Sequence, residues 1–197
     1  MVSKVQGKSI MKEIVERYSF VEENQDLIKK RLLSEQDITT KFVLPMLQAL
    51  NWDPLKIIRD GPEIHEKGFR ERDIEASAQE KARRGGLPDF SLRRPGSEVP
   101  FFVEVKHPIK HLNRERDLKK YRDGHLVLLT SFSESELVRV GKSGKKESCD
   151  GFIACSPKLY VKEFDNLWKH VSNSYEAEST RRALKAWRHG QRSSVQK

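Results

Sequence analysis

The run Gly86-Leu87-Pro88-Asp89-Phe90-Ser91-Leu92, followed by Val99-Pro100-Phe101-Phe102-Val103-Glu104-Val105-Lys106, decides how this chain is read. Both runs are rich in apolar and aromatic residues, and Arg94-Pro95-Gly96-Ser97 between them has turn chemistry. Together they read as two strands at 88–93 and 99–106 joined as a hairpin. Side chains two apart on a strand share a face, so Glu104 and Lys106 project together, opposite Val103 and Val105. Counting outward from a turn centred near 96–97 sets Asp89 opposite Glu104. Two acids and one amine then occupy a small volume.

Two neighbouring carboxylates repel, and one protonates unless a cation lies between them. Hard oxygen donors of this kind suit Mg²⁺, with Mn²⁺ as a substitute. A bound divalent ion polarises a phosphate oxygen and acidifies a bound water. A lysine beside it can position that water and steady charge on the reacting phosphorus. Asp89, Glu104 and Lys106 are therefore the candidate catalytic core of a phosphodiester hydrolase. A bare Glu-x-Lys would read as a surface ion pair on an edge strand. The upstream Pro88-Asp89, the short turn and the apolar flanks favour the site.

Outward from this centre, helices come first. Residues 8–33 read as helix broken once, with Ile10, Ile14, Tyr18 and Val21 at helical spacing. A second helix starts at Ser34, which caps it with Asp37 as a variant capping-box partner. Glu35, Ile38, Phe42 and Met46 fall nearly on one line of that helix, so Glu35 stands at the end of its core-facing stripe. Pro45 should kink it or mark a local rearrangement, and it ends near Asn51-Trp52-Asp53-Pro54. Residues 55–60 read as a short strand, and 63–86 as an irregular excursion with an edge strand near Arg72–Ala76.

After Lys106, a helix is expected at 114–122 and a central, doubly covered strand at 125–131. Short strands follow at Leu137–Val140 and 151–155, and a helix at 157–173 presents Phe164, Leu167, Trp168 and Val171 on one face. This order predicts an α/β fold with a mixed central sheet flanked by helices, and helical N- and C-terminal extensions. The boundaries are a helical segment at 1–33, the main domain at 34–173 and a basic tail or helix at 174–197.

The net charge of +9 favours polyanionic partners. Six of those charges sit in residues 179–197, which contain no acid, so the body is only mildly basic. That tail reads equally as a solvated end or a phosphate-binding helix. Cys149 and Cys155 are too few for a cysteine-rich zinc site or a disulfide scaffold, which fits a cytoplasmic protein with reduced thiols. No segment reads as a membrane span or a signal-peptide core.

At Pro88-Asp89 and Glu104-Val105-Lys106 the sequence resembles the PD-(D/E)xK nuclease superfamily. More narrowly, it resembles the N-terminal nuclease modules of type I motor subunits and fused restriction–methylation enzymes. The helix Glu35–Trp52, the strand Gly86–Leu92, and Asp117-Leu118-Lys119-Lys120-Tyr121 followed by Leu126–Ser131 extend the likeness over about residues 34–140. The resemblance implies a restriction-endonuclease-like fold and Mg²⁺-dependent cutting of DNA in a bacterial restriction–modification or other anti-phage system. It implies metal held by Asp89, Glu104 and the Val105 carbonyl, Lys106 near the attacking water, and Glu35 as a further active-site acid. It also implies partners: motor, methyltransferase or specificity modules in other domains or subunits. These modules often carry Gln-x-x-x-Tyr after the lysine, whereas this chain has Asp117 with Tyr121 retained. Tyr121 reads equally as a DNA contact or a packed ring.

Other signals are weaker. Arg83 and Arg84 are candidate phosphate contacts in what otherwise reads as a solvated loop. Gly141-Lys142-Ser143 is not a phosphate-binding loop, because Glu136 stands where the first glycine belongs. The histidines, His107 included, lack ligand spacing and read as solvent-facing or hydrogen-bonded bystanders. Cutting both strands with a single-site module needs two copies or two visits, so a homodimer is one expectation. A repair or recombination nuclease of resolvase type, or a non-catalytic DNA-binding module of the same fold, are the alternatives.

Overall fold

The computed structural model describes residues 2–30, 33–53, 58–59, 89–92, 101–108, 112, 117–119, 121, 125–141, 146–147, 153–154, 156–174, 176–177, 179–180 and 182. The expected edge strand near 72–76, the turn at 94–97, Pro88, Arg83, Arg84, both cysteines and most of the basic tail lie outside them.

The first helix, α1 (Lys4–Glu23), begins before the expected residue 8. The missed signal is a capping box: the Gln6 N–H donates to Ser3 Oγ, and the Ser3 N–H donates to Gln6 Oε1. The expected break falls at Asn24, after which α2 (Gln25–Lys29) adds a short turn. The buried stripe is Gly7, Met11, Ile14, Val15, Tyr18 and Val21, while Ile10 is exposed. Gly7 selects that stripe: a Cβ there would lie 2.2 Å from the Ala49 carbonyl oxygen, so only this face can approach so closely.

The second helical stretch runs as α3 (Glu35–Ile38), a π turn (Thr39–Val43) and α4 (Leu44–Ala49). Ser34 and Asp37 form the capping box in both directions, at 3.0 Å each. Lys41 and Ser34 hold the Asp37 carboxyl well below the ordinary range. Pro45 brings no N–H and its ring crowds the carbonyl four residues back. A local rearrangement, one of the two expected outcomes, lies just upstream, where the chain widens into the π turn and the Leu44 N–H reaches back to the Thr39 carbonyl. Asn51, at φ 66°, ends the helix in the left-handed region that asparagine tolerates.

Among the described residues, seven strands form one mixed sheet: β1 (Ile58–Arg59), β2 (Phe90–Leu92), β3 (Phe101–Val105), β4 (Leu126–Thr130), β5 (Ser135–Val140), β6 (Lys146–Glu147) and β7 (Ile153–Ala154). Strands β2 to β5 form its body, and β1, β6 and β7 are two-residue additions. β2 and β3 are antiparallel, β3 and β4 parallel, and β4 and β5 antiparallel. A parallel pair needs a crossover, and Asp117 and Leu118 lie on it in helical conformation.

The sheet has two covered faces. Phe90, Leu92, Phe101, Val103, Val105, Leu126, Leu128 and Leu137 join the main core with the helices. Val127, Leu129, Val138 and Val140 form a smaller core with Leu118 and Tyr121 on the other face. Where a single C-terminal helix was expected, α5 (Lys158–Lys162) and α6 (Phe164–Val171) meet at Glu163, although no glycine or proline marks the break. Phe164, Leu167, Trp168 and Val171 are buried as expected. Among the described residues, no helix is long and apolar enough to cross a membrane.

The Gly7 contact generates a test. Gly7→Ala drives a methyl group into the Ala49 carbonyl, and overpacking of this kind costs about 1–3 kcal/mol. The urea midpoint should fall with the slope unchanged. An unaltered midpoint would mean that α1 does not need this close approach.

Candidate active site

The register of β2 on β3 pairs Phe90 with Val103, Ser91 with Phe102 and Leu92 with Phe101. Continued by one residue, it sets Asp89 opposite Glu104, as the spacing from the turn predicts. Asp89 lies just before β2, and its Oδ2 accepts the Val105 N–H at 2.6 Å. The side chain thus continues the hydrogen-bond ladder where the described strand stops. In an extended strand, the N–H and C=O of one residue point to the same edge. The Val105 carbonyl therefore faces the edge that Asp89 occupies.

Glu104 and Lys106 project to the face of the smaller core, two apart on β3. Lys106 Nζ lies 2.5 Å from Glu104 Oε1, and the Tyr121 hydroxyl donates to Glu104 Oε2 at 2.9 Å. Glu104 is only 3 % exposed, so both donors compensate a carboxylate removed from water. Tyr121 is itself buried and packs on Phe102 with ring centroids 5.4 Å apart. The ring is packed, and its hydroxyl is directed at Glu104. Burial first, and then the charge of Glu104, push that hydroxyl far above its ordinary pKa. It stays protonated as a donor.

Lys106 has a second acid nearby, Asp117 Oδ1 at 3.7 Å. Burial pulls the lysine pKa down, but the Glu104 hydrogen bond and the charges of Glu104, Asp117 and Asp89 outweigh it, and the net shift is upward. Lys106 is thus an ammonium ion at neutral pH and not a proton acceptor.

Glu35 arrives from the other side of the sheet end. The Ser34 cap starts its helix, and Glu35 Oε2 accepts the His107 N–H at 3.1 Å. The acid is thereby bonded to the residue directly after Lys106. His107 is buried, and its Nε2 lies 2.8 Å from the Leu33 carbonyl. A carbonyl only accepts, so Nε2 carries the proton. His107 is thus hydrogen-bonded and not solvent-facing, and it ties the segment carrying Glu35 to the end of β3. The signal for it was present: with Val103 and Val105, position 107 continues the core-facing alternation. Asp117 was legible only as a departure from a motif.

The structure therefore brings together Asp89, Glu104, Val105, Lys106, Tyr121 and Asp117, with Glu35 bonded one residue further along. Among the described residues, no three His, Cys, Asp or Glu side chains form a ready metal cage. A Mg²⁺ site does not require one, since this ion keeps several waters and commonly takes one or two carboxylates. Asp89, Glu104 and the Val105 carbonyl are hard oxygen donors along one strand edge, and they fit that chemistry. Comparison of the chain with family models, with curated proteins and with solved structures finds no match.

Two outcomes test this geometry. Tyr121→Phe removes a donor from a buried carboxylate, which costs about 1–3 kcal/mol, and a lowered urea midpoint without DNA would show it. An unchanged midpoint would mean that the hydroxyl faces water. Lys106 has its pKa raised above 10.5 on folding, so its contribution is full below that value and is lost as pH rises through the folded pKa. The stability gap between wild type and Lys106→Met should stay constant from neutral pH to about pH 10 and shrink above it. A gap that is flat into strong alkali would contradict the ion pairing.

Proposed function

We propose that this chain is a Mg²⁺-dependent endonuclease domain of the PD-(D/E)xK type that hydrolyses DNA phosphodiester bonds. The observation that carries this reading is the β2–β3 register: it sets Asp89 against Glu104, with Lys106 on the face of Glu104. A mixed sheet with helices on both faces is compatible with a restriction-endonuclease-like architecture, which belongs to the same proposal.

The residues divide the work. Asp89, Glu104 and the Val105 carbonyl hold the metal, and Mn²⁺ would satisfy the same donors. When bound, the ion supplies Lewis-acid polarisation of a phosphate oxygen and acidification of a water. Lys106, held as an ammonium ion, orients the attacking water and offsets charge gathering on the phosphoryl oxygens. Tyr121 fixes the rotamer of Glu104 through Oε2. Glu35, whose Oε2 accepts the N–H of His107, the residue after Lys106, would take a hydrogen bond from a water at the same strand end. Net positive charge, concentrated in the last nineteen residues, gives general attraction for the phosphate backbone.

The biological setting proposed is bacterial restriction or another anti-phage system, in the cytoplasm. Motor, methyltransferase or specificity modules would be supplied elsewhere, and two copies would act on the two strands.

Supercoiled plasmid incubated with Mg²⁺ is the direct assay. Wild type should nick or linearise it, and Asp89→Asn, Glu104→Gln and Lys106→Ala should each lower the rate by about a hundredfold or more. EDTA should abolish cutting. Equal cutting by wild type and Lys106→Ala would refute the assignment, and binding of DNA without cutting would favour a non-catalytic module.

A further inference from the structure

Resting on the metal-site reading above, we infer that Asp117 is a positioning residue: the alternate acceptor to which Lys106 moves when a metal takes Glu104 Oε1. Both Glu104 oxygens are engaged, Oε1 by Lys106 Nζ and Oε2 by the Tyr121 hydroxyl. The tyrosine is neutral and can stay. The ammonium group lies 2.5 Å from Oε1, and it cannot share that oxygen with a divalent ion without strong charge repulsion. That repulsion drives Lys106 away from Oε1, and a half-buried ammonium shifts most readily towards another anion.

Asp117 meets that need. Its Oδ1 lies 3.7 Å from Lys106 Nζ, near enough to attract and too far for a good hydrogen bond. Its side chain is 13 % exposed, so the attraction is only partly screened. Asp117 and Tyr121 lie four residues apart, so one short stretch of sequence supplies both the group that pins Glu104 and the group that receives Lys106. An amide at position 117 would offer a dipole where the lysine needs a charge. The acid in this chain thus lowers the cost of vacating Glu104, and metal affinity depends on Asp117 only through Lys106.

Titration calorimetry with Mn²⁺ on the full chain separates the outcomes. Asp117→Asn should weaken Mn²⁺ binding about tenfold, within the range for groups that support a ligand. Asp117→Glu should recover most of the affinity, and Asp117→Gln provides a second amide should the asparagine variant unfold. In a Lys106→Met background, Asp117→Asn should change affinity less than about twofold, since nothing remains to be displaced. An equal loss in both backgrounds would make Asp117 a direct ligand and overturn the inference, as would no loss in either. Wild type that binds no Mn²⁺ at all would overturn the metal-site reading itself, and this inference with it.

Discussion

The site depends on one pairing, the antiparallel register of β2 on β3. Phe90 and Leu92 enter the main core beside Val103 and Phe101. A slip of one residue would turn both to the other face. Each such side chain gains about 1.5–3 kcal/mol from burial. Two like charges about 4 Å apart at an effective dielectric of about 20 repel by about 4 kcal/mol. Packing of Phe90 and Leu92 thus opposes the repulsion that two ionised acids at this strand end would feel. The Lys106 ammonium and the Val105 N–H tip the balance, each paired with one of the acids.

The same register divides the sheet between two tasks. One face continues the core through Val103, Val105 and His107 and carries no acid on β3. The other begins apolar, with Phe102, Val127 and Leu129 against Tyr121 and Leu118, and turns polar at Glu104 and Lys106. Buried apolar neighbours lower the local dielectric around Glu104, which strengthens every charge interaction made there. They also make an unpaired carboxylate costly. The tyrosine and the lysine are therefore both structural requirements of the fold and the equipment of the proposed chemistry.

Much of this was legible in the sequence for a physical reason. The alternation of Val103, Glu104, Val105 and Lys106 fixes facing without tertiary information, and the short connection fixes register. The Ser34–Asp37 box fixes a helix start through local bonds alone. What was missed depends on distant contacts. The choice between Ile10 and Met11 as the buried position is made by Gly7 against Ala49, across more than forty residues. The break at Glu163 carries no local marker. The partner of Tyr121 could not be told from spacing, because β3 and the segment at 117–121 meet only through the fold.

The delivery of Glu35 shows how far the fold fixes one group and leaves another adjustable. Its helix is tied at the start by the Ser34 cap and His107, and in the middle by Phe42 against Tyr18 and Phe132 at 4.8 and 5.3 Å. At the far end, the Trp52 indole N–H donates to the Val171 carbonyl, and the Asn173 N–H donates to the Leu50 carbonyl. The π turn lies directly before Pro45, a residue with no N–H for the helix to pair. Phe132 holds a left-handed backbone at φ 64° inside the aromatic cluster, a strain of about 1–2 kcal/mol that ring packing offsets. Glu35 is thus placed by several independent ties, none involving the charged cluster. Lys106 has the opposite character: a long side chain between two acids, at 2.5 and 3.7 Å. The proposed metal binding would use this asymmetry, with acids carried on paired backbone and one long positive side chain that can yield its place.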